Sequence, residues 1–185
     1  MNRWHISRAA RILYKGGIIA YPTEAVYGLG CLPDKRDAVY RLLLLKKRSV
    51  SKGLILVAAF PEQLEKYVYY PGASVRDMVL TSWPGPVTWL LPAKQGTPDW
   101  IKGSHTTVAV RVSGHPVVRA LCREAGVLVS TSANPEHKRP ARTLRKVVEY
   151  FGHTLDYIVP GEIGGLAAPT EIRDAVSGDI IRPGE

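Results

Sequence analysis

The sequence is poor in cysteine and has no long hydrophobic run. Its two cysteines, Cys31 and Cys122, lie far apart, and neither belongs to a pair with metal-binding or redox spacing. A disulfide framework is therefore excluded, and a reducing compartment is the simplest setting. No apolar stretch approaches the length of a membrane span, and the first residues do not have the pattern of a signal peptide. We expect a soluble, cytoplasmic protein.

Several familiar catalytic patterns are also missing. The segment YGLG at 27–30 fits neither the dinucleotide-binding GxGxxG pattern nor a Walker A loop, and no GxSxG sequence occurs. The five histidines show no close metal-binding spacing, so we expect no metal ligands from side chains. These absences favour chemistry by positioning and electrostatics over covalent catalysis.

Positive charge is abundant and unevenly spread. Lysine and arginine number 25 against 16 acidic residues, for a net charge of +9, and no acidic residue precedes Glu24. Residues 138–146 contain five basic residues and no acidic one. Such a distribution is typical of proteins that bind nucleic acid or phosphate. A basic surface without any partner is the alternative, and charge alone does not separate the two.

Length and hydropathy patterning predict one α/β domain over residues 1–185, with a mixed sheet and helices. A loop is predicted at 22–30, because glycines stand where the chain must turn. Helices are predicted at 7–15, 34 or 37 to 47, 61–68, 73–83, 115–125 and 143–151. Strands are predicted at 18–21, 53–59, 87–91, 106–112, 127–131, 157–159, 171–174 and 179–182, the last two as a hairpin.

Three short polar motifs follow apolar segments: PTEAVYGLG (22–30), KKR (46–48) and STSAN (130–134). Ligands of open α/β sheets bind just beyond strand ends, so three motifs of complementary chemistry predict a single anion-binding cleft. Each motif alone has a simpler interpretation. Cations at a helix end complement the helix dipole, and hydroxyl and amide side chains cap helices and form turns.

Thr107, Ala109 and Arg111 alternate along one predicted strand and therefore share a face. An arginine on such a strand near a cleft can hold a carboxylate through two parallel hydrogen bonds. An ordinary surface ion pair is the alternative for Arg111.

Longer blocks extend these motifs over nearly the whole chain. They are YPTEAVYGLG (21–30), LKKR (45–48), KGLI (52–55), WPGPVT (83–88), VAVRV (108–112), VSTSAN (129–134), EIRD (171–174) and RPG (182–184). In this order they resemble the YrdC/Sua5 family, in its short single-domain bacterial form. The resemblance implies a twisted mixed sheet with a concave basic cleft.

The resemblance also implies an activity. Such enzymes combine L-threonine, bicarbonate and ATP with Mg²⁺ into threonylcarbamoyl-adenylate and release pyrophosphate. The product feeds the t6A modification at position 37 of tRNAs that read ANN codons, and a separate transfer complex completes that modification. The implied partners are these substrates, that downstream complex and possible tRNA or double-stranded RNA on the basic face. No membrane partner and no tightly bound cofactor are expected.

Matching the family motifs residue by residue implies roles within the site. Lys46 and Arg48 are expected to be catalytic and to hold the ATP phosphates. The remaining nucleotide positions are Thr107, Ser132, Asn134 and Arg182. The expected threonine positions are Thr23, Lys52, Arg111, Ser130 and Thr170, although Lys52 could equally serve the phosphates.

The sequence departs from the family pattern at three places: Ser49 replaces a common proline, Pro135 to Lys138 replace a common Ser-Gly pair, and Thr170 replaces a common serine. Two other functions stay open. A non-catalytic RNA-binding module would use the basic groove to hold a phosphate backbone. A carbamoyl-transfer domain is the second, because related domains occur in hydrogenase-maturation enzymes.

Overall fold

The computed structural model describes residues 2–167 and 170–184. The predicted domain 1–185 also includes Met1, Ala168, Pro169 and Glu185, which lie outside the described residues. Within the described residues the chain forms six α-helices and nine strands. The helices are α1 (Arg3–Tyr14), α2 (Arg36–Lys46), α3 (Ala73–Thr81), α4 (Asp99–Lys102), α5 (Pro116–Ala125) and α6 (Leu144–Phe151).

The strands are β1 (Ile19–Pro22), β2 (Tyr27–Cys31), β3 (Ile55–Ala58), β4 (Val87–Pro92), β5 (Thr107–Val112), β6 (Leu128–Ser132), β7 (Tyr157–Ile158), β8 (Glu171–Asp174) and β9 (Ile180–Arg182). They form one sheet in the order β7-β1-β2-β6-β3-β5-β4-β8-β9. The pairs β1–β7, β3–β5 and β4–β8 are parallel and the others antiparallel. The predicted mixed α/β sheet is confirmed.

Helices α1 and α5 show why these segments are helical. The side chain of Asn2 accepts a hydrogen bond from the backbone N–H of Trp4, which caps the start of α1. The predicted start at residue 7 is therefore four residues late. Pro116 begins α5, where its fixed φ suits a helix and its missing N–H has no cost. Both helices bury one apolar stripe, and they pack on each other and on the sheet.

The prediction of a loop at 22–30 is wrong for its second half, because Tyr27–Cys31 is strand β2. Tyr27, Leu29 and Cys31 alternate into the core on one face of the sheet, while Gly28 and Gly30 occupy the other. Glycine has no side chain, so the alternation of apolar and polar residues that marks a strand cannot be recognised on this face of β2 from the sequence.

The predicted helix at 61–68 is also shorter and tighter, a 3₁₀ helix at Pro61–Lys66. The four-residue helix α4 was not predicted.

The two faces of the sheet are covered unequally. Helices α2, α3, α4 and α6 all contribute to the core on one face. On the other face, α1 and α5 pack mainly on β1 and on neighbouring parts of β3 and β6. The remainder of this face, including Ala109 of β5 and Leu90 of β4, is left open to a cavity. No helix among the described residues is both long and apolar enough to cross a membrane.

Candidate functional site

A cavity of about 380 Å³ lies over the uncovered part of the sheet. Its floor is formed by β2, β3, β5 and β6, and its walls by the 3₁₀ helix Val50–Lys52 together with residues of α4, β8 and β9. The sheet topology explains why these strands share one cavity floor, because β2, β6, β3 and β5 are neighbours in the sheet although they are distant in sequence. Nine of the predicted site residues line this cavity: Thr23, Arg48, Lys52, Thr107, Arg111, Ser130, Ser132, Thr170 and Arg182.

The lining is rich in positive charge. Its lysines and arginines are Arg48, Lys52, Lys102, Arg111 and Arg182, and no Asp or Glu lines the cavity within the described part of the chain. Desolvation lowers the pKa of Arg182, and the charges of Arg111 and Arg48 lower it further. The three guanidinium groups therefore repel one another across one space. An anion placed between them relieves that repulsion.

Arg48 and Arg182 are each anchored to the backbone. Arg48 donates to the carbonyl of Gly53 at 2.9 Å and, more weakly, to that of Lys52 at 3.3 Å. Arg182 donates to the carbonyl of Thr170 at 2.7 Å. Neutral acceptors orient a guanidinium without neutralising it. Both arginines therefore keep a full charge for a ligand in the cavity.

Arg111 is the one cavity arginine with a carboxylate beside it in the described chain. Its Nη2 lies 3.3 Å from Oε2 of Glu24, and both side chains are buried. Burial alone would raise the pKa of Glu24, but Arg111 and the Ser113 hydroxyl outweigh it, so the pKa falls below its ordinary value. Ser113 donates to Oε1 at 2.6 Å. The ion pair therefore holds the Arg111 side chain in place in the cavity lining.

Lys46 and Asn134 do not line the cavity. The buried ammonium of Lys46 donates to the carbonyl of Ser132 at 2.6 Å, to the carbonyl of Asn134 at 2.7 Å and to Oδ1 of Asn134 at 3.0 Å. An ammonium has three protons, so these bonds use all of them. Asn134 also accepts from the Ser132 hydroxyl at 2.6 Å. In this structure both residues hold the turn that follows β6, behind the cavity wall.

The segment after β7 is fastened to the loop that contains Thr23. Gly164 donates its N–H to the carbonyl of Thr23 at 2.8 Å, and Leu166 donates to that of Glu24 at 3.2 Å. Thr23 itself donates its hydroxyl to the carbonyl of Val26 at 2.7 Å. These bonds fix the backbone of the Pro-Thr-Glu turn at the edge of the cavity.

Sequence reasoning missed three polar contributors to this site. Lys102 and His105 line the cavity, because α4 brings them beside the 3₁₀ helix at Val50–Lys52. Neither belongs to a recognisable motif. Glu24, by contrast, carried a usable signal: it is the first acidic residue of a basic chain and directly follows Pro-Thr.

The chain matches the model of the Sua5/YciO/YrdC family, which is described as telomere recombination, over residues 11–184. It is 51% identical over 180 residues to a protein of Nitrosococcus oceani named threonylcarbamoyl-AMP synthase, covering 97% of each chain. A protein of Pseudomonas aeruginosa with the same name is 51% identical over 175 residues, covering 95% of each chain.

Among solved structures, the chain superposes on Sua5 of P. abyssi, crystallised with L-threonine, with a TM-score of 0.92. Sequence identity is 30%. The match covers 100% of this chain and 55% of the Sua5 chain, so the present chain spans little more than half of that protein.

Proposed function

The chain belongs to the Sua5/YciO/YrdC family, and from that membership we propose that it synthesises threonylcarbamoyl-AMP from L-threonine, bicarbonate and ATP. The bacterial relatives that carry this name align with almost their entire length. Pyrophosphate is the second product. The enzyme is thus a nucleotidyltransferase, and its product serves the t6A modification of tRNA.

One observation carries the proposal: three arginines and several hydroxyl groups converge on a single cavity without a lining carboxylate. ATP and threonine together bring a triphosphate and a carboxylate, and the arginines match both. Arg111, Thr23 and Ser130 line the same cavity, and we place the threonine carboxylate on Arg111. Arg48 is anchored at the wall, and we place the phosphates beside it.

The remaining positions follow from this orientation. Ser132, Thr107 and Arg182 supply hydroxyl and guanidinium donors to the nucleotide. Thr170 contributes to the region that binds threonine. Its carbonyl accepts a hydrogen bond from Arg182, a residue of the nucleotide region, so the threonine and nucleotide regions meet at this contact. Lys52 is exposed at the cavity wall, where it can approach the phosphates.

The reaction needs positioning more than a protein nucleophile. Bicarbonate takes up a proton and loses water by cleavage of one C–O bond, which gives CO₂. The amine of threonine then adds to the carbon of CO₂ and releases a proton, which gives a carbamate. A carbamate oxygen then forms a bond to the α-phosphorus of ATP, and the bond from that phosphorus to the bridging oxygen of pyrophosphate breaks. Negative charge grows on pyrophosphate, and fixed cations such as Arg48 stabilise it. A confined cavity also protects the carbamate from water.

Mg²⁺ fits this site as a companion of the triphosphate. The described cavity lining offers hydroxyl groups and cations but no carboxylate, so phosphate oxygens would hold the ion. When bound, it supplies additional neutralisation of phosphate charge.

We assign Lys46 and Asn134 an indirect role in nucleotide binding. Both hold the turn after β6, which places the Ser132 hydroxyl at the cavity. This assignment replaces the expectation from the motif that Lys46 touches phosphate. Further elements of the proposal are a cytoplasmic location and delivery of the adenylate to a tRNA-modifying complex.

Product analysis tests this function. The purified protein is incubated with ATP, Mg²⁺, L-threonine and ¹³C-labelled bicarbonate, and the products are identified by mass spectrometry. The expected product is threonylcarbamoyl-AMP with one ¹³C atom, formed together with pyrophosphate. Omission of threonine or of bicarbonate should abolish both products. Equal pyrophosphate release with neither present would remove the proposal, and turnover of carbamoyl phosphate would favour the carbamoyl-transfer alternative.

A further inference from the structure

Tyr21 of β1 is a buried polar residue to which the proposed reaction has so far assigned no role. Its side chain is completely buried, and its ring lies over the two glycines of β2. A Cβ atom on Gly30 would come within 2.9 Å of this ring, and one on Gly28 within 3.4 Å. The carbonyl oxygen of Val129 lies closer still, at 2.5 Å from that Cβ position, so the ring of Tyr21 and the backbone of β6 together leave no room for a side chain at position 30. The glycines of the YGLG segment allow Tyr21 to reach across β2 to β6.

The phenol of Tyr21 reaches Ser130, which pairs with Gly30 in the sheet. The distance from the phenol oxygen to Oγ of Ser130 is 2.9 Å. Burial raises the pKa of Tyr21, so the phenol keeps its proton at neutral pH.

The direction of this hydrogen bond follows from burial. If Ser130 donated, the phenol proton of a fully buried tyrosine would need another acceptor, and the described residues supply none. A buried donor without an acceptor loses its hydrogen bond to water and gains none in return, which is unfavourable. Tyr21 therefore donates, and Ser130 accepts. The hydroxyl proton of Ser130 is left to point in another direction, and Ser130 lines the cavity.

We propose that Tyr21 is a positioning residue, which turns the Ser130 hydroxyl so that its proton points at an oxygen of the bound amino-acid substrate. This inference rests on the proposed function, because it takes threonine as the ligand beside Arg111. Tyr21 touches no substrate and acts entirely through Ser130.

A double-mutant cycle tests the inference. Binding of L-threonine is measured by calorimetry, with a non-hydrolysable ATP analogue present, for the wild type, Tyr21→Phe, Ser130→Ala and the double variant. Loss of one oriented hydrogen bond should weaken threonine binding about fivefold in Tyr21→Phe, while binding of the ATP analogue stays unchanged. In the double variant the Tyr21 change should add nothing to the effect of Ser130→Ala. Additive effects, or equal weakening toward both ligands, would overturn the proposal.

Stability provides an independent measurement on the same four proteins. Ser130→Ala leaves the Tyr21 phenol without an acceptor, so this variant should unfold at a lower urea concentration than the double variant, which lacks the phenol. The reverse order would contradict the assigned bond direction. Tyr67→Phe is the matched control, because Tyr67 is buried in the core on the opposite face of the sheet. It should leave threonine binding unchanged.

The cycle also separates this inference from the proposed function. A wild-type protein that binds no threonine contradicts the function, whereas a wild type that binds threonine with additive variants contradicts the role of Tyr21 alone. The urea experiment judges the bond between Tyr21 and Ser130 in either case.

Discussion

Replacement of Lys46 by methionine distinguishes a structural cation from a phosphate ligand. Methionine preserves most of the length of the apolar stem and removes the ammonium. The carbonyls of Ser132 and Asn134 would then lose a donor each, while Oδ1 of Asn134 would keep its bond from the Ser132 hydroxyl. The substitution therefore destabilises the turn after β6 directly, and it affects a ligand only through that turn.

The magnitude follows from opposing contributions. A hydrogen bond from a charged donor contributes about 1.5–3 kcal/mol, and removal of one partner leaves the others buried. Desolvation of the Lys46 ammonium offsets part of the stabilisation from these hydrogen bonds. The same desolvation, together with the nearby charge of Arg48, lowers the pKa of Lys46 to about 8. We expect Lys46→Met to reduce the free energy of unfolding by about 2 kcal/mol, the balance of these effects.

Arg48→Gln should behave in the opposite way. Arg48 is half-buried and bonded to the carbonyls of Lys52 and Gly53, so its loss should change the free energy of unfolding by less than about 1 kcal/mol. Its effect on kcat/KM should be large, about 2–4 kcal/mol of transition-state stabilisation, as for other groups that stabilise developing charge. Lys47→Met, at an exposed neighbouring position, is the control for removal of a lysine charge.

Urea unfolding monitored by circular dichroism gives the stabilities, and pyrophosphate release gives kcat/KM. The expected result is a split: Lys46→Met loses stability and activity, Arg48→Gln loses activity alone, and Lys47→Met loses neither. The reasoning is refuted if Lys46→Met is as stable as the wild type and as inactive as Arg48→Gln. That outcome would place the ammonium of Lys46 on a phosphate during turnover.

Three further predictions concern charge. The pKa of Lys46 is about 8 in the folded protein against an ordinary 10.5, so the unfolded chain binds more protons between these values and this group adds stability as pH rises through that window. The difference in unfolding free energy between wild type and Lys46→Met should therefore increase with pH in this window. A difference that does not change with pH would contradict the prediction. Glu24→Gln leaves the buried Arg111 unpaired, so unfolding should cost about 3 kcal/mol less and KM for threonine should rise; unchanged values of both would argue against the pairing. Glu136→Gln frees Lys52, 3.9 Å away at an exposed site, and KM for ATP should fall at most about threefold; a rise would show that Glu136 helps rather than competes.

Sequence patterns predicted the fold where burial has a regular period. Helix α5 begins at a proline and repeats its apolar positions at helical spacing, and β5 alternates between Thr107 and Val112. Both segments were predicted within a residue or two. Strand β2 was missed because Gly28 and Gly30 hide its alternation. Helix α4, with four residues, is too short to show a period.

The sequence motifs predicted which segments form the candidate site, but not which residue of each motif faces the cavity. Arg48 and Lys46 stand two positions apart in one motif, yet Arg48 lines the cavity while Lys46 faces the turn after β6. Helix geometry separates them, because α2 ends at Lys46 and Lys47 adopts a left-handed conformation with φ of 51°. No pattern in the sequence announces that change of direction.

Strand β2, where local propensity failed, contributes to the floor of the cavity. Glycine weakens a strand, and β2 accepts two of them in five residues. The gain lies on the open face, where those glycines give room to the ring of Tyr21 and bring its phenol to Ser130. A side chain at position 30 would collide with the carbonyl oxygen of Val129 and with the ring of Tyr21, and so would disturb the contact between Tyr21 and Ser130. The weak sequence pattern of β2 is therefore a direct consequence of the site that the strand supports.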